Sequence, residues 1–249
     1  MMKGGLLLHN VGLKIEGKEI FKSLNLQLHP GEIHVLLGPN GVGKSSLLKA
    51  LSGHPFYKDI SGDIFFEGEN ILSWSIEERA KKGIFVAFQS PYEIEGLTVA
   101  NFLRTAIKAF PQNSAHGLSA TDFYQLLYRL LDQVGLPRNF TSRALNCGFS
   151  GGEKKRLELL QLMLFQPKYA LVDEIDSGLD IDARKKVIDV IKEVQKNNST
   201  CFLIVSHDID FIRQLNPAKI HVFQNKTLKT VDASELDRIE HEGFVGNDG

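Results

Sequence analysis

Short apolar runs rich in β-branched and aromatic residues recur along the chain and predict β-strands. These runs are IHVLLG (33–38), DIFFEG (63–68), GIFVAF (83–88), YALVDE (169–174), CFLIVS (201–206) and KIHVF (219–223). Several contain few polar positions, which is typical of strands buried on both faces of a parallel sheet. The first thirty or so residues instead alternate apolar and polar positions, as in LKIEGKEIF, and predict antiparallel strands added at one side.

Helix signals lie between these runs. The segment SSLLKALSG follows Lys44 and ends at Gly53, residues 75–78 form a capping box, and residues 181–196 carry a further helical pattern. Strands that alternate with helices predict a mainly parallel sheet covered by helices, so we expect an α/β fold.

The region from Thr98 to about Phe165 departs from this alternation. It contains almost no strand pattern, whereas VANFLRTAIKAF and DFYQLLYRLLDQVGL carry apolar residues at helical spacing. We therefore predict one domain, residues 1–249, in which a helical lobe (94–165) is inserted into an α/β lobe (1–93 and 166–249).

Composition excludes some classes of partner but does not identify one. The chain has 249 residues, 43% of them hydrophobic, with 29 Lys and Arg against 30 Asp and Glu and a net charge of -1. This balance lacks the basic field that nucleic-acid backbones attract, so we expect no nucleic-acid partner. No segment reaches the roughly 18 apolar residues of a spanning helix, so we expect no direct membrane insertion. The 2 cysteines are too few for a disulfide framework, which favours a reducing, cytoplasmic location.

A phosphate-binding loop follows the first core strand. LLGPNGVGKSS fits the pattern G-x-x-x-x-G-K-[ST] and stands between a predicted strand and a predicted helix, as the mechanism of this motif requires. Backbone amides and the helix N-terminus can wrap phosphates, a lysine can reach the β- and γ-phosphates, and a hydroxyl can bind Mg²⁺. The candidate ATP-binding residues are Gly38, Pro39, Asn40, Gly41, Val42, Gly43, Lys44, Ser45 and Ser46.

An acidic pair ends a second buried strand. Asp173 in YALVDEID is placed to hold a Mg²⁺ ion, and the adjacent Glu174 can act as general base toward the attacking water. The alternative is that both carboxylates only solvate the end of a strand.

A second glycine pair precedes a charged helix. Ser150, Gly151 and Gly152 open the segment EKKRLELLQLMLF and could form a second anion site, although taken alone they also fit an ordinary helix cap. The run 154–156, KKR, is more often a solvated helix face than a site. A salt bridge from Lys154 or Lys155 to Glu174 is a further hypothesis.

The order of these motifs resembles that of the ATP-binding-cassette ATPases over nearly the whole chain. The matching elements are the phosphate loop (38–45), Gln89 as the glutamine loop, FSGGE (149–153) as the signature, Asp173 and Glu174 as the acidic pair, SGLD (177–180) as the D-loop and His207 as the switch histidine. The resemblance implies a P-loop NTPase fold, ATP as substrate and Mg²⁺ as cofactor.

The resemblance also implies a role for each site residue. Two chains would associate head to tail when ATP is bound, with Ser150, Gly151 and Gly152 of one chain contacting the γ-phosphate held by the other. Glu174, His207 and Gln89 would be catalytic. The Mg²⁺ ligands would be Ser45, Gln89 and Asp173.

One position departs from the family pattern. Many cassette ATPases stack the adenine on an aromatic residue of the early strands, but Ile15 and Glu16 stand near that position here. Phe21 is a distant substitute, so we expect ATP binding to persist with looser base discrimination.

Further residues resemble the ATPases of the Suf iron–sulfur cluster assembly machinery. They are the EKKR run (153–156), Gly178 and the segment GIFVAFQSPYEIEGLTVANFLR (83–104). The resemblance implies SufB-like and SufD-like scaffold proteins as partners. Because cluster ligation usually needs four thiolates, the cluster ligands would lie on those partners.

Two questions stay open at this level. The alternative function is that of the ATP-binding subunit of a membrane transporter, which would use the same chemistry. Residues 90–110, including Tyr92 and Phe102, are the expected docking surface for a partner, unless these aromatics pack inside the helical lobe.

Overall fold

The computed structural model describes residues 4–110, 113–232 and 234–244. The strands are β1 (Leu6–Ile15), β2 (Lys18–Leu28), β3 (Ile33–Leu37), β4 (Asp59–Phe66), β5 (Glu69–Asn70), β6 (Ile84–Ala87), β7 (Ile94–Thr98), β8 (Ala144–Leu145), β9 (Tyr169–Asp173), β10 (Cys201–Val205), β11 (Lys219–Gln224) and β12 (Thr227–Val231). The helices are α1 (Lys44–Leu51), α2 (Ile76–Lys82), α3 (Val99–Lys108), α4 (Ala120–Val134), α5 (Gly151–Phe165), α6 (Ile181–Asn198), α7 (Ile209–Leu215) and α8 (Glu235–Glu242), with a 3-10 helix at Arg138–Ser142.

The core sheet has the strand order β12-β11-β3-β10-β9-β6. Pairing is parallel from β11 to β6, and only the edge strand β12 runs antiparallel to its neighbour. Every residue of β3, β9 and β10 is buried, as their continuous apolar runs predict. The predicted mainly parallel α/β fold is therefore confirmed.

A second, antiparallel sheet has the order β2-β1-β4-β5. Its first two strands confirm the prediction for the N-terminal segment. The 63–68 run forms part of β4 and pairs with β1 rather than with the core strands, because polar and exposed positions interrupt β4 and leave it one buried face. Leu47, Leu48 and Leu51 of α1 pack in the same apolar cluster as this sheet.

The segment between β7 and β9 is helical, as predicted, apart from the short β7–β8 ladder. Buried residues of α3, α4 and α5, such as Leu103, Leu127 and Leu160, share one apolar cluster with Val172 of the core sheet and Ile191 of α6. The limits of the helical lobe at 94 and 165 stay a prediction.

The core sheet places the candidate site at one edge. β3 leads into the phosphate loop, β9 ends at Asp173, and His207 lies two residues after β10. Gln89 lies two residues after β6. Because these strands are parallel, their carboxyl ends meet at the same edge, where ligands bind in open α/β sheets.

Candidate active site

The phosphate loop depends on glycine at two points. Gly38 has φ 154°, and a Cβ there would lie 2.2 Å from the carbonyl oxygen of Phe223. Gly43 has φ 115° and is the N-cap of α1. The loop therefore closes tightly against β11 and directs the first amides of α1 toward its interior.

Lys44 lies inside this loop. Its ammonium donates to the carbonyl oxygens of Gly38 at 2.7 Å and Pro39 at 2.9 Å, and the residue is 5% exposed. Burial lowers the pKa of Lys44, while the nearby charges of Glu174 and Asp173 raise it. Phosphate oxygens can replace the two carbonyls as partners for this cation, since charge-assisted hydrogen bonds are the stronger ones.

Asp173 and Ser45 provide oxygen ligands suited to Mg²⁺. The Asp173 side chain is buried and interacts with the Ser45 hydroxyl, while its Oδ1 has no hydrogen-bond partner. Burial raises the pKa of Asp173. Ser45, Asp173 and Gln89 line one cleft of about 180 Å³. Hydroxyl, carboxylate and amide oxygens around a cleft are the donor set that Mg²⁺ prefers, so these residues fit the ion.

Glu174 lies between Gln89 and His207. The Gln89 amide donates from Nε2 to Glu174 Oε2 at 2.6 Å, and Nε2 of His207 lies 3.7 Å from Glu174 Oε1. Burial and the charge of Lys44 lower the pKa of His207, which favours the neutral imidazole, while the charges of Glu174, Asp176 and Asp173 oppose this shift. Gln89 is exposed, which excludes a buried structural amide. The three predicted catalytic side chains therefore lie together.

The backbone of Glu174 is strained. Its φ is 50°, in the left-handed region that residues other than glycine rarely adopt. Its N–H donates to the Val205 carbonyl at 3.0 Å and its own carbonyl accepts from the Lys155 ammonium at 3.0 Å. The surrounding structure holds this conformation, which is a common feature of functional sites.

The predicted salt bridge from Lys154 or Lys155 to the Glu174 carboxylate is wrong. Lys154 pairs with Glu93 at 2.7 Å. Lys155 instead donates to the Glu174 carbonyl and to the carbonyl and hydroxyl oxygens of Ser177. The Glu174 side chain turns away toward Gln89, so the lysine binds the backbone of the acidic loop.

Ser150 forms a capping box at the start of α5. Its hydroxyl accepts from the Glu153 N–H at 3.2 Å, and the Glu153 carboxylate accepts from the Ser150 N–H at 2.7 Å. A Cβ at Gly151 or Gly152 would meet no atom within 4 Å. The helix cap is therefore real, and the space around the Cα atoms of Gly151 and Gly152 is open at the N-terminus of α5, a kind of position that favours anions.

The suggestion that Phe21 replaces the usual adenine-stacking aromatic residue is wrong. The side chain is fully buried and packs edge-on against Phe223. Ile20, which sequence reasoning missed, lies beside the phosphate loop instead, since a Cβ at Gly43 would be 2.9 Å from its Cγ2. Strand alternation was the available signal, because neighbours in a strand point to opposite faces.

Sequence reasoning also assigned no role to Asp176 or Ser206. Asp176 follows the acidic pair and Ser206 precedes the switch histidine, and their side chains are hydrogen-bonded at 2.7 Å. A further carboxylate two positions after Glu174 was the available signal, but nothing in the sequence identifies its partner.

Comparisons with known proteins identify the family of this chain. The family model described as ABC transporter matches residues 21–177. Vegetative protein 296 of Bacillus subtilis (strain 168) is 41% identical over 245 residues, which are 98% of this chain and 93% of that protein. The iron–sulfur cluster assembly protein SufC of Plasmodium berghei (strain Anka) is 41% identical over 92% of this chain and 63% of its own length.

A solved structure has the same fold. The ATP-binding cassette dimer in a post-hydrolysis state bound to ADP and Pi superposes with a TM-score of 0.77 at 20% identity, over 92% of this chain and 98% of that one. The chain belongs to the ATP-binding-cassette (ABC transporter) family and is an ATPase.

Proposed function

We propose that this ATPase drives conformational change in a cytoplasmic complex with SufB-like and SufD-like scaffold proteins during iron–sulfur cluster assembly. The observation that carries the proposal is the 41% identity to the assembly protein SufC over 92% of the chain. The residues from Glu153 to Arg156, which resemble those of the Suf ATPases, also support the proposal.

In this proposal, two copies close head to tail around two ATP molecules. Lys44 and the loop amides bind the phosphates in one chain. Ser150 and the amides of Gly151 and Gly152 from the other chain complete the contacts to the γ-phosphate, for which their open surroundings leave room. Hydrolysis removes these phosphate contacts and lets the two copies separate.

The proposed chemistry assigns one task to each side chain. Glu174 accepts a proton from a water whose oxygen attacks the γ-phosphorus, and the bond to the bridging oxygen breaks to leave ADP and inorganic phosphate. The neutral His207 donates a hydrogen bond toward the γ-phosphate, and Gln89 orients the water. Ser45, Asp173 and Gln89 would hold Mg²⁺, which neutralises phosphate charge when bound.

An apolar groove beside Gln89 supports a protein partner. It has a volume of about 340 Å³ and lies between α2, β6, α3 and α5, with aromatic lining residues that include Phe85, Phe88, Phe102 and Phe110. Tyr92 is 71% exposed, whereas Phe102 is half-buried, packs against Phe165 and lines the groove, so the docking surface expected at residues 90–110 stays a prediction. We propose that a segment of a scaffold protein docks in this groove and contacts Phe88, so that a movement of the adjacent Gln89 is transmitted to the partner.

The thiols support placing the cluster on the partners. Cys201 is fully buried and Cys147 is half-buried, and no group of three or more His, Cys, Asp or Glu side chains that could hold a metal ion occurs in the ranges 4–110, 113–232 and 234–244. Within those same ranges, none of the helices has the length and apolar character needed to cross a membrane.

The test is affinity purification of the tagged chain from its native cells without detergent, followed by mass spectrometry. We expect soluble SufB-like and SufD-like proteins in near-stoichiometric amounts. Ala106→Glu, which puts a charge in the groove, should abolish their recovery, whereas Thr105→Glu on the exposed face of the same helix should not.

The second candidate is the ATP-binding subunit of a membrane transporter, which the description of the matching family favours. It predicts that only a multi-spanning permease is recovered, and only after detergent is added. That result would contradict the assembly function and leave the ATPase chemistry in place.

A further inference from the structure

A buried acid joins the two loops that carry Glu174 and His207. Asp176 lies two residues after Glu174 and Ser206 directly precedes His207. The Ser206 hydroxyl donates to Asp176 Oδ2 at 2.7 Å, and the two residues are 5% and 0% exposed. The bond therefore connects the loop after β9 with the loop after β10 at a point shielded from water.

The Ser206 hydroxyl has two partners. Ser206 Oγ donates to Asp176 Oδ2 and also accepts the N–H of Asp208 at 3.1 Å. Asp208 in turn caps α7 through the Phe211 N–H at 2.9 Å and pairs with Arg184 of α6 at 2.5 Å. The backbone on both sides of His207 is thus held by one connected network.

The same network bears on Glu174. Its left-handed backbone has to be held by its surroundings, and Asp176 and the Lys155 contacts hold the segment that follows it. Asp176 Oδ1 is buried without a hydrogen-bond partner, which is an arrangement that costs stability. Packing alone does not require a polar side chain at this position, whereas a hydrogen bond that connects the two catalytic loops requires an acceptor oxygen.

We propose that Asp176 and Ser206 form a lock that positions His207 against Glu174, so that Asp176 is a positioning residue of the ATPase reaction. The proposal rests on the proposed roles of Glu174 and His207. It assigns no contact between Asp176 and the nucleotide.

The lock predicts an ordered set of kinetic effects. Ser206→Ala and Asp176→Leu each remove the hydrogen bond and should lower kcat about tenfold with ATP KM within about twofold, since the phosphate loop is unchanged. Asp176→Asn keeps an oxygen that accepts from Ser206 and should restore kcat to within about threefold of the unmodified chain.

A matched control lies on the same strand. Thr200 precedes β10 at its other end, is fully buried, and donates from its hydroxyl to the Pro167 carbonyl at 2.6 Å. Thr200→Val therefore removes a comparable buried hydrogen bond far along the strand from His207. It should lower the melting temperature as Ser206→Ala does while leaving kcat unchanged well below that temperature.

The decisive experiment is a double-mutant cycle with His207→Ala, measured as kcat at saturating ATP. If the lock acts through His207, Ser206→Ala should change kcat less than about twofold in the His207→Ala background. A full tenfold decrease in that background, or an Asp176→Asn chain as slow as Asp176→Leu, would overturn the lock alone. Normal kcat for His207→Ala by itself would overturn the role of His207 and the lock with it.

Discussion

The phosphate-loop half of the site and the signature half are built in opposite ways. Lys44 is buried and donates two hydrogen bonds within its own loop, and Asp173 at the end of β9 interacts with the Ser45 hydroxyl. Ser150 binds only its own helix among the contacts seen in the described ranges, and Gly151 and Gly152 face open space. The phosphate-loop half is preformed within the chain, whereas the signature half offers hydrogen-bond donors to a ligand from outside the chain.

This difference explains why two anion sites occur in one chain. A preformed loop can bind nucleotide without any partner. Exposed glycine amides at a helix N-terminus gain strength only when a phosphate approaches and water is excluded. We therefore propose that one chain suffices for nucleotide binding, whereas hydrolysis needs two chains.

The largest effect is expected at Glu174, on the preformed side. Glu174→Gln retains the shape and the contact with Gln89 but cannot accept the proton, so kcat should fall about a thousandfold. ATP binding should persist, and dimers should accumulate when ATP is added. Steady-state turnover tests the loss of activity, and size-exclusion chromatography tests the accumulation of dimers. Normal turnover would exclude Glu174 as the base.

A smaller effect is expected at Ser150, for which the chain contains its own control. Ser75 caps α2 with the same capping box, from Ser75 to Glu78. Ser150→Ala and Ser75→Ala should each destabilise the fold by about 1 kcal/mol. Only Ser150→Ala should also lower kcat, by about tenfold, with ATP binding to the isolated chain unchanged. Equal kcat values for the two variants would show that Ser150 is a helix cap and nothing more.

A third effect concerns stability rather than turnover, and involves pH and two strands that adjoin the phosphate loop. His34 of β3 and His221 of β11 are buried and hydrogen-bonded at 2.9 Å. Burial lowers the pKa of both, and that of His221 to about 3. The unfolded chain takes up protons below about pH 6.5 while the fold keeps the rings neutral, so this stabilisation is present above that pH and is lost toward pH 3.

Acid should therefore loosen the phosphate-loop half first. Between pH 7 and pH 5, keeping the His221 ring neutral should cost the fold about 2 kcal/mol, and His34 should act in the same direction. Hydrogen exchange should show a loss of protection in β3 and β11 before α5, which contains no histidine. His221→Gln should reduce this difference, and equal loss of protection in all three elements would contradict the assignment.

The sequence predicts contiguous features well and long-range contacts poorly. The phosphate loop and the capping boxes depend on residues within eight positions of each other, so their spacing specifies their geometry. The buried runs of β3, β9 and β10 likewise identify the core strands. In contrast, the one buried face of β4 excludes it from the core of a parallel sheet but does not identify β1 as its partner.

The errors at the site have the same cause. The position of Lys155 against the backbone of Glu174 and Ser177 depends on how α5 packs beside the loop after β9. Asp176 and Ser206 are thirty positions apart, and only strand pairing brings them together. Phe21 is buried because one side of β2 faces the core, so its aromatic character says nothing about adenine.

The most direct test of the split site is to mix two inactive variants. Lys44→Ala removes the cation of the preformed half. Gly151→Asp leaves the chain folded, since that position is open and a helix N-terminus favours an acid, but repels the γ-phosphate. In a mixed dimer, one of the two sites would contain an intact Lys44 from one chain and an intact Gly151 from the other.

We predict that neither variant alone hydrolyses ATP and that an equal mixture recovers about a quarter of the unmodified rate, because about half the dimers hold one intact site. If the mixture stays as inactive as the separate variants while mixed dimers form, the two halves do not meet across an interface. The head-to-tail account would then be wrong.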